Sequence, residues 1–179
     1  AHHGPELFSD AVGRLEPHTI AGPAGQAGPA VVLDEDGLRI TAFAVTHDPV
    51  KPAYGYRFDY GGRSLVVSGD TTKDRAVIEA ARGADVLFHE AQANHIVAQI
   101  GEAAAQADRP RIAKIMSDIP TYHSSPVQAA EVANEAGVKL LVLYHLTPPP
   151  PARIVEWVFT RGVSDVRPAR RIELLPYVA

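Results

Sequence analysis

A mixed α/β fold is what this sequence predicts, on three observations. Short β-branched and aromatic runs crowd the first half, apolar strand-like runs alternate with helix-period segments in the second, and glycine or proline stands at most changes of period. At 179 residues, 46% hydrophobic and 21% charged, the chain can bury one sizeable core and is too apolar for disorder, so a single domain over residues 1–179 is expected.

The elements follow in order. Residues 5–15 (PELFSDAVGRL) have helical apolar spacing, and the Gly/Pro/Ala-rich run from His18 to Ala30 reads as a loop. Strands are expected at AVVL (30–33) and, after the turn signal Asp36-Gly37, at LRITAFAV (38–45). YGYRFDY (54–60) then turns at Gly61-Gly62 into SLVVSG (64–69), a hairpin. From Thr72 the period becomes helical in TKDRAVIEAARG, with a threonine as N-cap candidate and Gly83 as the stop. ADVLFHE (84–90) reads as a buried strand and NHIVAQIGEAAAQA (94–107) as a helix. PVQAAEVANEAG is a second helix, with Ser125 before it, Pro126 in its first turn and Gly137 at its stop. VKLLVLYH (138–145) is the last strong strand, ended by LTPPPP, and ARIVEWVFTRG (152–162) reads as a closing helix.

A formal charge of −4 argues against holding nucleic acid by non-specific electrostatics. With no cysteine, a metal would have to be held by His, Asp and Glu. No apolar run approaches the ~20 residues of a membrane helix and no signal segment opens the chain, so a soluble protein without membrane partners is expected, its compartment open. His2 and His3 stand at a terminus, where adjacent histidines fit a tag remnant or a solvated end.

One pattern repeats: an apolar strand runs out and delivers a polar side chain. It does so at His47 (AFAVTH), Asp70 (LVVSGD), His89 and Glu90 (DVLFHE) and His145 (LLVLYH), while TYHSSP sets His123 just before a helix. Ligand sites of layered α/β folds lie at such strand ends. Histidines with an aspartate are a zinc-binding set, and a further histidine with a glutamate suits acid–base work. Taken singly, each also fits a structural role: His47 and His145 as hydrogen-bonded histidines, Asp70 as a turn former or helix-start carboxylate, Glu90 as an ion-pair partner.

Taken jointly, residues 38–148 resemble the second half of a metallo-β-lactamase-fold hydrolase, an αββα sandwich, of the ribonuclease-Z-like and arylsulfatase-like branch. The resemblance implies that His47 is a terminal zinc ligand, that Asp70 of SGDT bridges two zinc ions, and that His145 of LYHL binds the second. HEA and HSS resemble the family's His-Glu-Ala-Thr and His-Ser-Thr elements, with Gln92 where the threonine usually stands. They imply that Glu90 and His123 handle the scissile group and protonate the leaving oxygen, after attack by a metal-bridging hydroxide. Asp48 fits a turn role beside Pro49 better than one of orienting His47.

The family's main motif, His-x-His-x-Asp-His, is absent from the 179 residues. With an opening AHHGPELF that resembles the segment following that half, the chain is expected to be the C-terminal portion of a longer domain. Its site would be completed elsewhere. The inserted arm that grips tRNA in single-domain family members is also absent between Tyr56 and Asp70, whereas the stretch between Glu90 and His123 carries an extra segment fit either for a lid or for a plain surface helix. The substrate expected is therefore a small phosphodiester or sulfate-type ester rather than nucleic acid. The alternatives are a lactonase or β-lactam hydrolase on the same fold, or a metal-free remnant or half needing a partner chain. A homo-oligomer is left open.

Overall fold

The strands are rich in β-branched and aromatic residues, which suit the pleated, part-buried surface of a sheet. In the computed structural model, which describes residues 28–168 and 170–175, seven strands make one sheet in chain order. They are β1 (Ala30–Glu35), β2 (Leu38–Ala44), β3 (Tyr54–Tyr60), β4 (Arg63–Val67), β5 (Val86–Gln92), β6 (Leu140–Thr147) and β7 (Ile172–Leu174). β1 to β4 pair antiparallel, through two-residue turns between β1 and β2 and between β3 and β4 and a longer loop over 45–53 between β2 and β3, and β4 to β7 pair parallel, each parallel step requiring a crossover.

Helices fill those crossovers: α1 (Arg75–Ala80), then α2 (Asn94–Gln106), α3 (Pro110–Asp118) and α4 (Pro126–Ala136), then α5 (Arg153–Phe159) and α6 (Val163–Val166). One sheet face is sealed: Phe43, Val66, Leu87, Leu141 and Leu143 pack with Val77 of α1, Phe159 of α5 and the alanines of α4 in one core cluster. Alanine at 129, 130, 133 and 136 lets α4 approach the sheet closely. Each large side chain so buried contributes roughly 1.5–3 kcal/mol. On the alternate positions Leu65, Val67, Val86, Phe88 and Leu140 remain part-exposed. No helix among the described residues is long and apolar enough to cross a membrane.

The mixed α/β expectation holds, and α4 forms as the sequence predicts. Ser125 and Gln128 make a reciprocal capping box and Gly137 ends the helix at φ 71°. Four details differ. The N-cap of α1 is Asp74, whose carboxylate accepts from the Ala76 N–H, rather than a threonine; it accepts from the Thr46 N–H as well, a second bond that a shorter hydroxyl could not make. The segment between Glu90 and His123 is two helices, broken at Asp108 (φ 52°) and restarted by Pro110. The closing helix is followed by α6 and by β7, a three-residue strand too short for a sequence pattern. His89 and Glu90 lie inside β5, and His145 inside β6, rather than at the strand ends. His2, His3 and the helix at 5–15 lie outside the described residues.

Candidate metal centre

Two antiparallel reversals make β2 point the same way as β4, and β5 and β6 run parallel to β4, so the C-terminal ends of four strands meet at one edge of the sheet. His47 stands just past β2 and Asp70 just past β4. Glu90 lies in β5, His145 in β6, and His123 in the loop before α4.

Gly69 bends the chain into that edge. Its φ is +68°, and a Cβ there would lie 2.3 Å from the Tyr54 carbonyl oxygen, so no other residue fits without displacing β3. The loop is then stitched down: Ser68 Oγ donates to the Gly69 carbonyl and accepts from the Glu90 N–H, and the Thr72 N–H donates to the Thr46 carbonyl.

Glu90 is fully buried, and its Oε1 accepts three hydrogen bonds: from Thr71 N–H at 3.2 Å, Ser124 N–H at 2.9 Å and His123 Nδ1–H at 3.1 Å. Ser124 Oγ donates in turn to the Thr71 carbonyl. One carboxylate thus ties together the loop after β4 and the loop before α4. Burial lowers the pKa of His123, but the hydrogen bond and charge of Glu90 outweigh it, and the net direction is upward. His89 points the other way, into the sealed core; burial lowers its pKa and its Nε2 has no partner.

The outer part of the site is more open. His145 sits at a β-bulge: Glu90 pairs with Tyr144 and Ala91 with Leu146, leaving His145 unpaired at φ 48° with its side chain 48% exposed. The bulge turns this one side chain towards the cluster. Its Nε2 lies 3.8 Å from Asp70 Oδ2. Asp70, His123 and His145 each offer a ligand atom within 4.8 Å of one another. His47 donates from Nδ1 to the Tyr122 carbonyl at 2.8 Å, leaving Nε2 as its free nitrogen, and its ring centroid is 5.0 Å from that of His123.

This donor set fits a divalent ion of the zinc type. Two bonds of about 2.1 Å span at most about 4.2 Å, so the 3.8 Å between His145 Nε2 and Asp70 Oδ2 already suits two ligands of one ion. A carbonyl or carboxylate on Nδ1 of His47 and of His123 fixes each tautomer, the arrangement that metal-binding histidines use.

Five of the six residues singled out by sequence therefore converge, His89 being the exception, with a shift in grouping: the tight cluster takes in His123, while His47 adjoins through His123. Asp48 pairs with Lys51 at the surface and makes an ordinary turn. Sequence reasoning missed Tyr122, whose carbonyl orients His47, and Tyr144, whose phenol burial pushes up to about 12, so that it stays a hydrogen-bond donor. Their position next to His123 and His145 was the one available signal.

A family model described as a beta-lactamase superfamily domain matches residues 1–146. Ribonuclease Z of Mycobacterium tuberculosis strain H37Rv is 36% identical over 149 residues, 83% of this chain and 49% of that protein. Ribonuclease Z of Mycobacterium avium strain 104 is 40% identical over 117 residues, 65% of this chain and 38% of that protein. The metallo-beta-lactamase fold protein YhfI from Bacillus subtilis shares the fold, with TM-score 0.56 at 20% identity over 83% of this chain and 50% of its own. The chain spans about half the length of the curated relatives it matches.

Proposed function

The chain belongs to the β-lactamase superfamily of hydrolases, and from that premise we propose that it carries one half of a two-zinc phosphodiesterase site. The convergence of Asp70, His123 and His145 on one another, with Glu90 behind His123, is the observation that supports this reading most. Asp70, His145 and His47 would hold zinc, His47 through Nε2. His123 is assigned to proton transfer because the carboxylate on its Nδ1 favours the protonated ring, whereas His47 gives Nδ1 to a backbone carbonyl and keeps Nε2 for a ligand bond. A bound ion supplies Lewis acidity to the ester and acidifies water.

The chain's own groups do the rest. His123 holds a proton at Nε2 and passes it to the leaving oxygen, while Glu90 stabilises the charged imidazole and keeps the ring from turning. The Ser68, Thr71 and Ser124 bonds fix Glu90 itself, so the proton donor is positioned before substrate arrives. The acidic net charge favours a small ester and the relatives' name favours RNA. A phosphodiester is the chemistry common to both, with sulfate esters and lactams as weaker candidates.

Metal content of the full-length protein, together with hydrolysis of bis(p-nitrophenyl) phosphate, a short RNA, p-nitrophenyl sulfate and a β-lactam, tests this reading. Two zinc ions and fastest cleavage of a phosphodiester are expected. His123→Ala should keep the metal and lose about 10²–10⁴ in kcat, and Asp70→Ala should lose both metal and rate. Metal retained with full rate in Asp70→Ala, or a β-lactam as the best substrate, would overturn it.

A further inference from the structure

Away from the His/Asp cluster, α5, α6 and β7 enclose a groove of about 490 Å³ whose polar wall carries three arginines and whose rim carries a tryptophan. The volume lies in the range of small-ligand pockets. Among the described residues the arginines that pair with carboxylates are Arg39, Arg57, Arg63, Arg75 and Arg171. Among the described residues Arg161, Arg167 and Arg170, the three that line the groove, pair with no carboxylate, and nor do Arg82, Arg109, Arg111 and Arg153 elsewhere; what sets the three apart is that they share one groove.

Arg167 is the telling member, at 1% exposure. Its Nη1 donates to the Asn134 side-chain oxygen and its Nη2 to the Val138 carbonyl, both at 2.8 Å and both neutral acceptors, and its Nε has no partner. A buried guanidinium normally has an anion beside it. Here burial, and then the charge of Arg170, work against the protonated form of Arg167. Among the described residues no carboxylate pairs with the arginines of this groove, and a groove of that kind suits an external anion. Trp157 narrows its chemistry: the indole is 71% exposed on α5, at the mouth of the same groove. An exposed ring beside arginines is the combination that stacks a base while its phosphate is neutralised.

We propose that this groove binds a nucleoside phosphate, with the phosphate against Arg161 and Arg170 in front of buried Arg167 and the base stacked on Trp157. The proposal is independent of the reading of the metal centre. The bound unit is either a free nucleotide or one nucleotide of a single strand, and the two sources are separable by affinity.

Trp157 is the only tryptophan of the chain and so reports on the groove directly. Its fluorescence is followed in chelator while the full-length protein is titrated with inorganic phosphate, adenosine 5′-monophosphate or a six-nucleotide oligoadenylate. If the full-length chain adds tryptophans, Trp157→Phe supplies the baseline to subtract. Saturable quenching by the adenylates, weakening as salt rises, is expected. Inorganic phosphate should compete without quenching. An oligoadenylate more than about tenfold tighter than the mononucleotide identifies a strand site, and equal affinities a nucleotide site. Arg161→Ala and Arg170→Ala, both at exposed positions, should each raise Kd about fivefold or more with the circular dichroism spectrum unchanged, and Asp70→Ala should bind as the parent does. No saturable signal at millimolar nucleotide, unchanged affinity in both arginine variants, or loss of binding in Asp70→Ala would overturn the proposal.

Discussion

The two parts of the candidate centre are built on opposite terms. Around Glu90 the loops are tied: three donors meet its buried Oε1, and the Ser68 and Ser124 hydroxyls add further bonds, while Oε2 is buried without a partner among the described residues. Around Asp70 and His145 the side chains are 37% and 48% exposed and 3.8 Å apart, and among the described residues nothing else donates to the Asp70 carboxylate. The buried part stabilises the fold whether or not a ligand is present. The open part has its charges and lone pairs free for a cation, and contributes little to the fold without one.

That contrast can be broken by substitution. Glu90→Ala should have the largest effect, stranding two buried N–H donors and the half-buried His123 ring N–H at a cost of about 3–5 kcal/mol in urea unfolding. Glu90→Gln, whose amide oxygen can still accept, should cost clearly less. Equal small costs for both would mean that the knot contributes nothing. Gly69→Ala comes next, at about 2–3 kcal/mol, since it combines a positive φ with a backbone clash at Tyr54; a neutral result would show that β3 yields freely there. On the open side, Asp70→Asn should move metal-free stability by no more than about 0.5 kcal/mol, while lowering bound metal as measured by atomic emission. A large loss of stability in the metal-free protein would erase the distinction between the two parts.

The smallest effect is expected far from the site, where Asp85 joins the starts of β4, β5 and β6. The Lys139 ammonium, and then the Ser64 N–H, hold its carboxyl down at about 2. A lowered carboxyl stabilises the fold above its unfolded value of 3.8, and the contribution is lost as pH falls towards 2. The stability gap between the parent and Asp85→Asn should therefore be present at pH 5 and close below pH 3.8. A gap that is constant with pH would assign it to packing.

Much of the fold was legible because its signals are local. The Gly61-Gly62 hairpin, the Ser125–Pro126–Gly137 frame of α4 and the apolar runs of β5 and β6 are each decided within a dozen residues. The cap of α1 was misread because Asp74 is favoured by a distant partner, the Thr46 N–H, which no window on the sequence contains. β7 was missed because three residues carry no period.

By itself the sequence determined the class of fold, the residue types available for chemistry and the order in which strands deliver them, since periodicity and turn residues act over short range. Tertiary structure alone decided which of those residues meet. A bulge puts His145 on the Asp70 side, a carbonyl from Tyr122 chooses the free nitrogen of His47, and a groove collects Arg161, Arg167 and Arg170. The reason is physical: a metal ligand or a counter-ion is defined by a few ångströms of separation, and only the packed sheet brings residues 75 positions apart, such as His47 and Tyr122, to that distance.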